Sequence, residues 1–185
     1  MVAVPNIVAI DFETANYDPA SACAVGLAFV EKGRVVRVEE RLIRPPELAF
    51  AFTHIHGITA HDVVHAPSFA EIWNEFRFDL KGALLLAHNA SFDMGVIRAA
   101  RRHYGLRGPR ASHLCTLAVA RAVWPELPSK SLASVARHLA IPLDHHNAAS
   151  DARAAAEIAI AAAEELGVLG VAYLPEKLGL RLGRI

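Results

Sequence analysis

The chain of 185 residues is 54% hydrophobic, which excludes an intrinsically disordered protein and suits one globular domain with a substantial core. Its nineteen Lys and Arg residues balance nineteen Asp and Glu residues, and this zero net charge excludes a protein that holds duplex nucleic acid through overall basicity. No apolar run is long enough to cross a bilayer and the N-terminus lacks the basic pattern of a cleavable leader, so we expect a cytoplasmic protein without a membrane partner.

The first part of the chain predicts three strands. Residues 6–13 are mostly apolar and predict a buried strand that ends in two acids. Residues 23–30 and 34–43 predict two further strands joined around Gly33, which is a typical turn residue. We therefore expect a hairpin beside a buried first strand.

Helices dominate the rest of the chain. Ser68 followed by Glu71 has the spacing of a capping box, which predicts a helix that begins at residue 69. Ser150 is the expected N-cap of an Ala-rich helix that stops at Gly167. The predicted helices cover residues 69–78, 92–104, 117–123, 132–139 and 151–166, and one short buried strand is predicted at residues 84–87.

The domain organisation follows from the absence of repeats, low-complexity linkers and composition breaks. We expect an α/β protein with a single domain over residues 1–185, a core at about 6–167 and a C-terminal tail at 168–185. Whether the tail is a docking extension, or the chain is cut from a longer protein, stays open. Cys23 and Cys115 have no C-x-x-C partner, so neither a disulfide framework nor a zinc ribbon is expected.

The first candidate site residues are Asp11 and Glu13, two positions apart at the end of an apolar strand. Because side chains alternate along a strand, both carboxylates point to the same face. This pair predicts the start of a metal site. Taken alone, the pattern also fits ordinary acids at a strand end that reaches solvent.

The second candidate acid is Asp93, which follows a buried strand and the polar turn H-N-A-S-F at residues 88–92. It is predicted in the first turn of a helix, where the helix N-terminus favours an anion. The alternative is a simple helix-start acid, with His88 and Asn89 as turn residues.

The third candidate motif is H-H-N-A-A-S-D at residues 145–151. Asp151 is predicted in the first turn of the last helix, and His146 lies five residues upstream in the preceding loop. The motif therefore predicts a fixed acid beside a movable base. The alternative is a helix cap that follows two solvated loop histidines.

These acids predict a cation site when they are taken together. Four carboxylates that meet in one apolar fold repel one another unless cations compensate their charge. Oxygen ligands favour Mg²⁺ or Mn²⁺ over zinc, which prefers His and Cys. We therefore expect two Mg²⁺ or Mn²⁺ ions held by Asp11, Glu13, Asp93 and Asp151.

At these residues the chain resembles the His-containing DEDDh branch of the DEDD 3′-to-5′ exonucleases, which includes the proofreading ε subunit of bacterial DNA polymerase III. D-F-E-T at residues 11–14 resembles the first motif of that family, H-N-A-S-F-D at 88–93 the second, and H-N-A-A-S-D at 146–151 the third. Cys115 departs from the family, in which Asp is common at this position, but it is not one of the four acids. The resemblance implies an RNase H-like fold, with helices flanking a mixed five-stranded central sheet and the site at the sheet's edge.

The resemblance also implies residue roles. Asp11 bridges both cations, Glu13 and Asp151 complete the first site, and Asp93 supports the second. His146 is the implied general base, since imidazole accepts protons near neutral pH, and the adjacent His145 is its competitor. The implied catalytic set is therefore Asp11, Glu13, Asp93, His146 and Asp151, and the implied products are nucleoside 5′-monophosphates.

Residues around the acids are candidates for contact with the terminal nucleotide. The substrate-binding candidates are Phe12, Thr14, Ala15, His54, His88, Asn89 and Phe92. The aromatic members also suit the core, and the histidines also suit turns.

The resemblance implies a nucleic-acid substrate with a free 3′ end, with DNA favoured over RNA and a DNA polymerase as a possible partner. Two alternatives stay open. One is an RNA-trimming exoribonuclease of the same branch, because the five catalytic groups do not discriminate the 2′-hydroxyl. The other is a non-catalytic module that binds nucleic acid or a polymerase and retains the fold.

Overall fold

A mixed sheet organises the computed structural model, which describes residues 6–185. Its strands run in the order β3-β2-β1-β4-β5-β6. The first three strands are antiparallel, β4 and β5 run parallel to β1, and β6 is antiparallel to β5. The strands are β1 (Ile7–Thr14), β2 (Ala22–Glu31), β3 (Arg34–Leu42), β4 (Leu84–Ala87), β5 (Ser112–Cys115) and β6 (Gly183–Arg184).

The expected mixed sheet is confirmed, but it has six strands rather than five. Strand β6 pairs only Gly183 and Arg184 with β5, and it comes from the segment expected to be a tail. Strand β5 was also absent from the sequence prediction, because its four residues, S-H-L-C, form no apolar run such as the one that predicted β4. The expectation that no leader precedes the first strand concerns residues 1–5, which lie outside the described residues.

The helices flank the sheet on both faces. The capping box at Ser68 and Glu71 is confirmed, with the Glu71 carboxylate accepting a hydrogen bond of 2.7 Å from the Ser68 backbone nitrogen. Three helices of four or five residues were not predicted, because so short a helix carries no helical periodicity. The helices are α1 (Thr53–His56), α2 (Ala60–Val63), α3 (Phe69–Leu80), α4 (Ser91–His103), α5 (Thr116–Val123), α6 (Leu132–His138), α7 (Ala148–Glu165) and α8 (Leu174–Leu178), with a 3₁₀ turn at Val171–Tyr173.

Two apolar layers hold the helices on the sheet. Phe69, Trp73 and other apolar residues of α3 pack on one face, against the side chains of β2 such as Leu27. Ala28 and Val30 of the same strand face the opposite layer, which contains α5, α6 and α7. Each large side chain buried in this way contributes about 1.5 to 3 kcal/mol to the free energy of unfolding, so the alternation along β2 fixes which face α7 covers.

Helix α7 begins three residues earlier than expected, and its N-cap is Asn147 rather than Ser150. The Asn147 side-chain oxygen accepts a hydrogen bond of 2.9 Å from the Ser150 backbone nitrogen. The Ser150 hydroxyl instead accepts a hydrogen bond of 2.8 Å from the backbone nitrogen of Asp144. Asn and Ser cap helices about equally well, so local preference alone did not decide between them.

The segment after α7 packs on the sheet and helices. Val171 and Leu174 are 2% and 0% exposed and belong to the apolar layer of α7. Ile185 donates a backbone hydrogen bond of 3.1 Å to the Ala111 carbonyl oxygen. Across residues 6–185, no helix is both long enough and apolar enough to span a membrane.

Candidate active site

Three of the expected acids meet at the end of β1. Asp11 and Glu13 alternate with the buried Phe12 along β1, and Asp151 lies in the first turns of α7. One carboxylate oxygen from each of the three acids lies within 4.8 Å of the other two. Because α7 crosses the same end of the sheet, residues 140 positions apart in sequence form one cluster.

Asp93 lies beside this cluster, in the first turn of α4, and is only 1% exposed. Its Oδ1 accepts a hydrogen bond of 3.1 Å from the Phe12 backbone nitrogen, which ties the start of α4 to β1. Its charge raises the pKa of Asp11. Asp93 therefore borders the cluster and repels its negative charge, while Asp11, Glu13 and Asp151 form the cluster itself.

The electrostatics of the cluster disfavour four negative charges. Burial raises the pKa of Asp11 well above its usual range, and repulsion from Asp93 and Asp151 adds to the shift. Burial, with repulsion from Asp151, raises the pKa of Glu13 to about 7. Burial raises the pKa of Asp93 to about 8, although the hydrogen bond from Phe12 opposes the shift. Burial also raises the pKa of Asp151.

The donor set fits divalent cations. The Asp151 Oδ1 atom is buried and has no hydrogen-bond partner within the described residues, which is costly for a carboxylate oxygen unless another group compensates it. The three clustered acids supply only oxygen ligands, the kind that Mg²⁺ and Mn²⁺ prefer. These residues can therefore hold a divalent cation that satisfies this oxygen and neutralises the cluster.

We expect the metal-free protein to lose stability as the pH rises from about 4, where carboxyl groups of the unfolded chain titrate, to about 8. The folded-state pKa values of Glu13 and Asp93, about 7 and about 8, lie above the ordinary values of an unfolded chain. Such groups stabilise the fold fully below the unfolded pKa, and that stabilisation is lost as the pH rises through the folded pKa. The expected loss is on the order of a few kcal/mol.

Urea unfolding in EDTA across this pH range measures the effect, and the same titration with Mn²⁺ is the control. We expect Mn²⁺ to restore most of the free energy of unfolding at the alkaline end, since it binds only the folded cluster. A metal-free protein that gains stability over this range would contradict the assignment of the raised pKa values.

Both loop histidines lie at the cluster. His145 Nδ1 donates a hydrogen bond of 2.8 Å to Asp151 Oδ2, and the His146 backbone nitrogen donates one of 3.1 Å to the same oxygen. The two imidazole rings stack with their centres 3.9 Å apart. His146 has a φ of 70°, and its exposed ring makes no hydrogen bond within residues 6–185, so it is free to contact a ligand.

Several substrate-binding candidates are buried. Phe12 is 4% exposed and packs against Phe69 with ring centres 6.1 Å apart, so its side chain belongs to the core rather than to a substrate surface. Thr14 and Ala15 are 6% and 0% exposed. The Ala15 carbonyl oxygen accepts hydrogen bonds from the backbone nitrogens of residues 51 and 52.

The remaining candidates divide into one half-buried histidine and three exposed groups. His88 Nε2 donates a hydrogen bond of 2.8 Å to the Lys130 carbonyl oxygen, and its Nδ1 lies 3.0 Å from the Thr116 hydroxyl. Both ring nitrogens of His88 are therefore occupied by the protein. His54, Asn89 and Phe92 are exposed, with Phe92 at 46%.

Three residues that were not predicted as site residues also shape the site. Glu40 of β3 accepts a hydrogen bond of 3.1 Å from the Asn147 side chain and adds to the raised pKa of Glu13. His56 Nε2 donates a hydrogen bond of 3.2 Å to the Thr14 carbonyl oxygen. Asn147 was within the quoted third motif, but no local signal connects Glu40 or His56 with the acids.

Comparison with known proteins supplies the family. Residues 8–159 match the RNase_T family, which is described as exonuclease. The chain belongs to the RNase_T exonuclease family. This family segment contains every acid of the cluster and both loop histidines, and it confirms the resemblance to DEDDh exonucleases.

Relatives of this exonuclease-family chain include much longer proteins. The PolC-type DNA polymerase III of Thermotoga petrophila is 32% identical over 174 residues, covering 91% of this chain and 13% of the polymerase. The PolC-type DNA polymerase III of Clostridium perfringens is 31% identical over 157 residues, covering 82% of this chain and 11% of the polymerase. The chain thus spans only a small part of these relatives.

Solved structures of other exonucleases share the fold. Exonuclease X in complex with 5′ overhanging duplex DNA has a TM-score of 0.73 and 23% identity, covering 91% of this chain and 98% of its own. E. coli Exonuclease I in complex with a dA16 oligonucleotide has a TM-score of 0.74 and 19% identity, covering 90% of this chain and 42% of its own. These likenesses confirm the RNase H-like fold.

Proposed function

We propose that this chain is a metal-dependent 3′-to-5′ exonuclease that releases nucleoside 5′-monophosphates from DNA. The observation that carries the proposal is the convergence of Asp11, Glu13 and Asp151, with Asp93 beside them, next to the free ring of His146. Membership of the exonuclease family supports the reaction class. The polarity and the roles of the residues are our inference.

The acids define where two Mg²⁺ or Mn²⁺ ions would be held. Asp11, Glu13 and Asp151 would hold one ion, since their oxygens already lie within 4.8 Å of one another. Asp11 and Asp93 would hold the second. When bound, such ions lower the pKa of the attacking water and stabilise the negative charge of the transition state.

His146 accepts the proton of the attacking water in this proposal. Its backbone nitrogen is fixed to Asp151 Oδ2, so the ring is anchored beside the cluster while its nitrogens remain available. A base held within hydrogen-bond reach of the water contributes about 10² to 10⁴-fold to the rate. His145 instead orients Asp151, because its Nδ1 already donates to that carboxylate.

The exposed residues near the acids form the proposed contact with the last nucleotide. Phe92, at the start of α4, is 46% exposed and lies next to Asp93 in sequence. An exposed aromatic ring can stack on a base of any identity, which suits a nuclease without sequence preference. Asn89 and His54 supply polar groups to the same substrate in this proposal.

We propose DNA with a free 3′ end as the substrate and a DNA polymerase as the partner. The named relatives are PolC-type DNA polymerases, and two structural neighbours are complexes with DNA. We also propose that residues 1–185 act as a single exonuclease domain, because Leu174 and Val171 join the apolar layer of α7.

A comparison of labelled oligonucleotides tests the function. Single-stranded DNA, a duplex with mismatched 3′ ends and RNA of the same sequence are incubated with the protein and Mn²⁺, with EDTA as the control. A 5′ label should yield a ladder of progressively shorter strands, and a 3′ label should appear at once as a mononucleotide. Faster loss of RNA than of DNA would support the exoribonuclease alternative, and binding without shortening would support the non-catalytic module.

A further inference from the structure

Helix α7 approaches the sheet most closely at Gly26 of β2. A Cβ atom at this position would overlap the backbone carbonyl group of Ala148 and would lie 2.5 Å from the backbone nitrogen of Ala149. Backbone atoms of a helix cannot move aside as the end of a flexible side chain can. The first turn of α7 therefore rests directly on the backbone of β2, which only glycine permits.

Space, rather than backbone conformation, explains the glycine. Gly26 pairs with Asp11 in an unbroken run of antiparallel pairs along β1 and β2, and its φ lies outside the left-handed region. Its neighbours on the same face of the strand, Ala24 and Ala28, are both 0% exposed. This face of β2 therefore accommodates a methyl group at residues 24 and 28, but not at Gly26, where the first turn of α7 lies.

The position of this contact couples it to the acids. Gly26 lies directly opposite Asp11 on the neighbouring strand, and Asp151 follows Ala148 by less than one turn of α7. The hydrogen bond of 3.1 Å between Asn147 and Glu40 holds the same helix end on β3. The distance between helix and strand at Gly26 therefore sets the separation of the Asp151 and Asp11 carboxylates.

We propose that Gly26 is a positioning residue for the cation site: its missing side chain lets the first turn of α7 deliver Asp151 to Asp11 and Glu13. The inference rests on the proposed function, because it concerns how the same acids are held. The inference adds a structural requirement on β2, a strand that contributes no ligand to the proposed cation site.

The test is Gly26→Ala, with Ala159→Gly as the matched control. Ala159 is a buried residue of α7 in the apolar layer on the sheet, two turns beyond the cluster, so its replacement weakens the helix without moving its first turn. We expect Gly26→Ala to weaken Mn²⁺ binding about 10 to 100-fold, the range for disturbing the support of metal ligands. Hydrolysis should fall about 10²-fold, as expected for a misplacement near 1 Å.

Free Mn²⁺ measured by electron paramagnetic resonance gives the affinity, and circular dichroism gives the thermal midpoint. The control should lower the thermal midpoint yet bind Mn²⁺ as the wild type does. Gly26→Ala with wild-type Mn²⁺ affinity would overturn the inference. So would a loss of affinity in Ala159→Gly as large as that in Gly26→Ala, because general destabilisation would then account for both.

A compensating variant separates positioning from loss of structure. Asp151→Glu lengthens the carboxylate arm by one carbon–carbon bond, about 1.5 Å. In the wild-type background we expect it to weaken Mn²⁺ binding about tenfold, because the helix is held at a fixed distance. In the Gly26→Ala background it should instead recover part of the lost affinity, because the helix has been pushed back.

If Gly26→Ala does not fold, Asp151→Glu alone decides the matter, and wild-type affinity in that variant would overturn the inference. Mn²⁺ binding is measured without any nucleic acid, so failure of the inference about Gly26 can be distinguished from failure of the proposed function. A wild-type protein that binds Mn²⁺ but never shortens DNA would overturn the nuclease proposal and leave the role of Gly26 intact.

Discussion

Replacement of Asp11 by alanine is expected to abolish hydrolysis while leaving a folded protein. Asp11 lies in the cluster with Glu13 and Asp151, and repulsion from Asp93 also raises its pKa. Its loss therefore removes a ligand from both proposed cation sites. Several kcal/mol of transition-state stabilisation are then lost, which corresponds to a rate at least about 10³-fold lower.

Stability should change in the opposite direction in Asp11→Ala. Burial raises the pKa of Asp11 well above its usual range, so its charged form destabilises the metal-free fold at alkaline pH. The variant should therefore unfold at a higher urea concentration than the wild type at about pH 9 in EDTA. Glu47→Ala, at an exposed acid, is the control for both measurements and should change neither. Wild-type trimming rates in Asp11→Ala would defeat the assignment of the site.

Replacement of His146 by alanine is expected to slow turnover by about 10² to 10⁴-fold, the range for losing a positioned general base. Mn²⁺ binding should persist, because the contact of His146 with Asp151 runs through the backbone nitrogen, which alanine retains. Single-turnover trimming of a 5′-labelled oligonucleotide at saturating Mn²⁺ measures the chemical step.

His145→Ala is the matched control for the base, because the two rings are stacked neighbours. His145 donates its hydrogen bond to the Asp151 carboxylate, so its removal should weaken Mn²⁺ binding. Once Mn²⁺ is saturating, His145→Ala should slow turnover less than His146→Ala does. If His146→Ala turns over like the wild type across the pH range, another group accepts the proton. The reverse ranking of the two variants at saturating Mn²⁺ would assign the base to His145.

Local sequence determined where the four acids lie on the strand and the two helices that contain them. The alternation of β1 places Asp11 and Glu13 on one face whatever the partner strand is, and the structure confirms that both join one cluster. Asp93 and Asp151 lie in the first turns of α4 and α7, as predicted. These features depend on the few residues around each acid, which is why the sequence alone was sufficient.

Long-range packing decided the rest of the site. The sequence predicted Ser150 as the cap of α7, whereas Asn147 holds that position and also binds Glu40, 107 residues away. Phe12 suited a substrate contact by sequence, but its side chain points to the layer of α3. Each outcome depends on a partner that no local pattern specifies.

The sheet shows the same division. Strands β1 to β4 were predicted because each contains several apolar residues close together. Strands β5 and β6 lack that signal and depend on the hydrogen bonds that a neighbouring strand supplies. The sequence by itself determined which residues could bind cations and which elements present them. Only the tertiary structure decided how closely α7 lies on Gly26, because that distance arises from a contact between segments far apart in the chain.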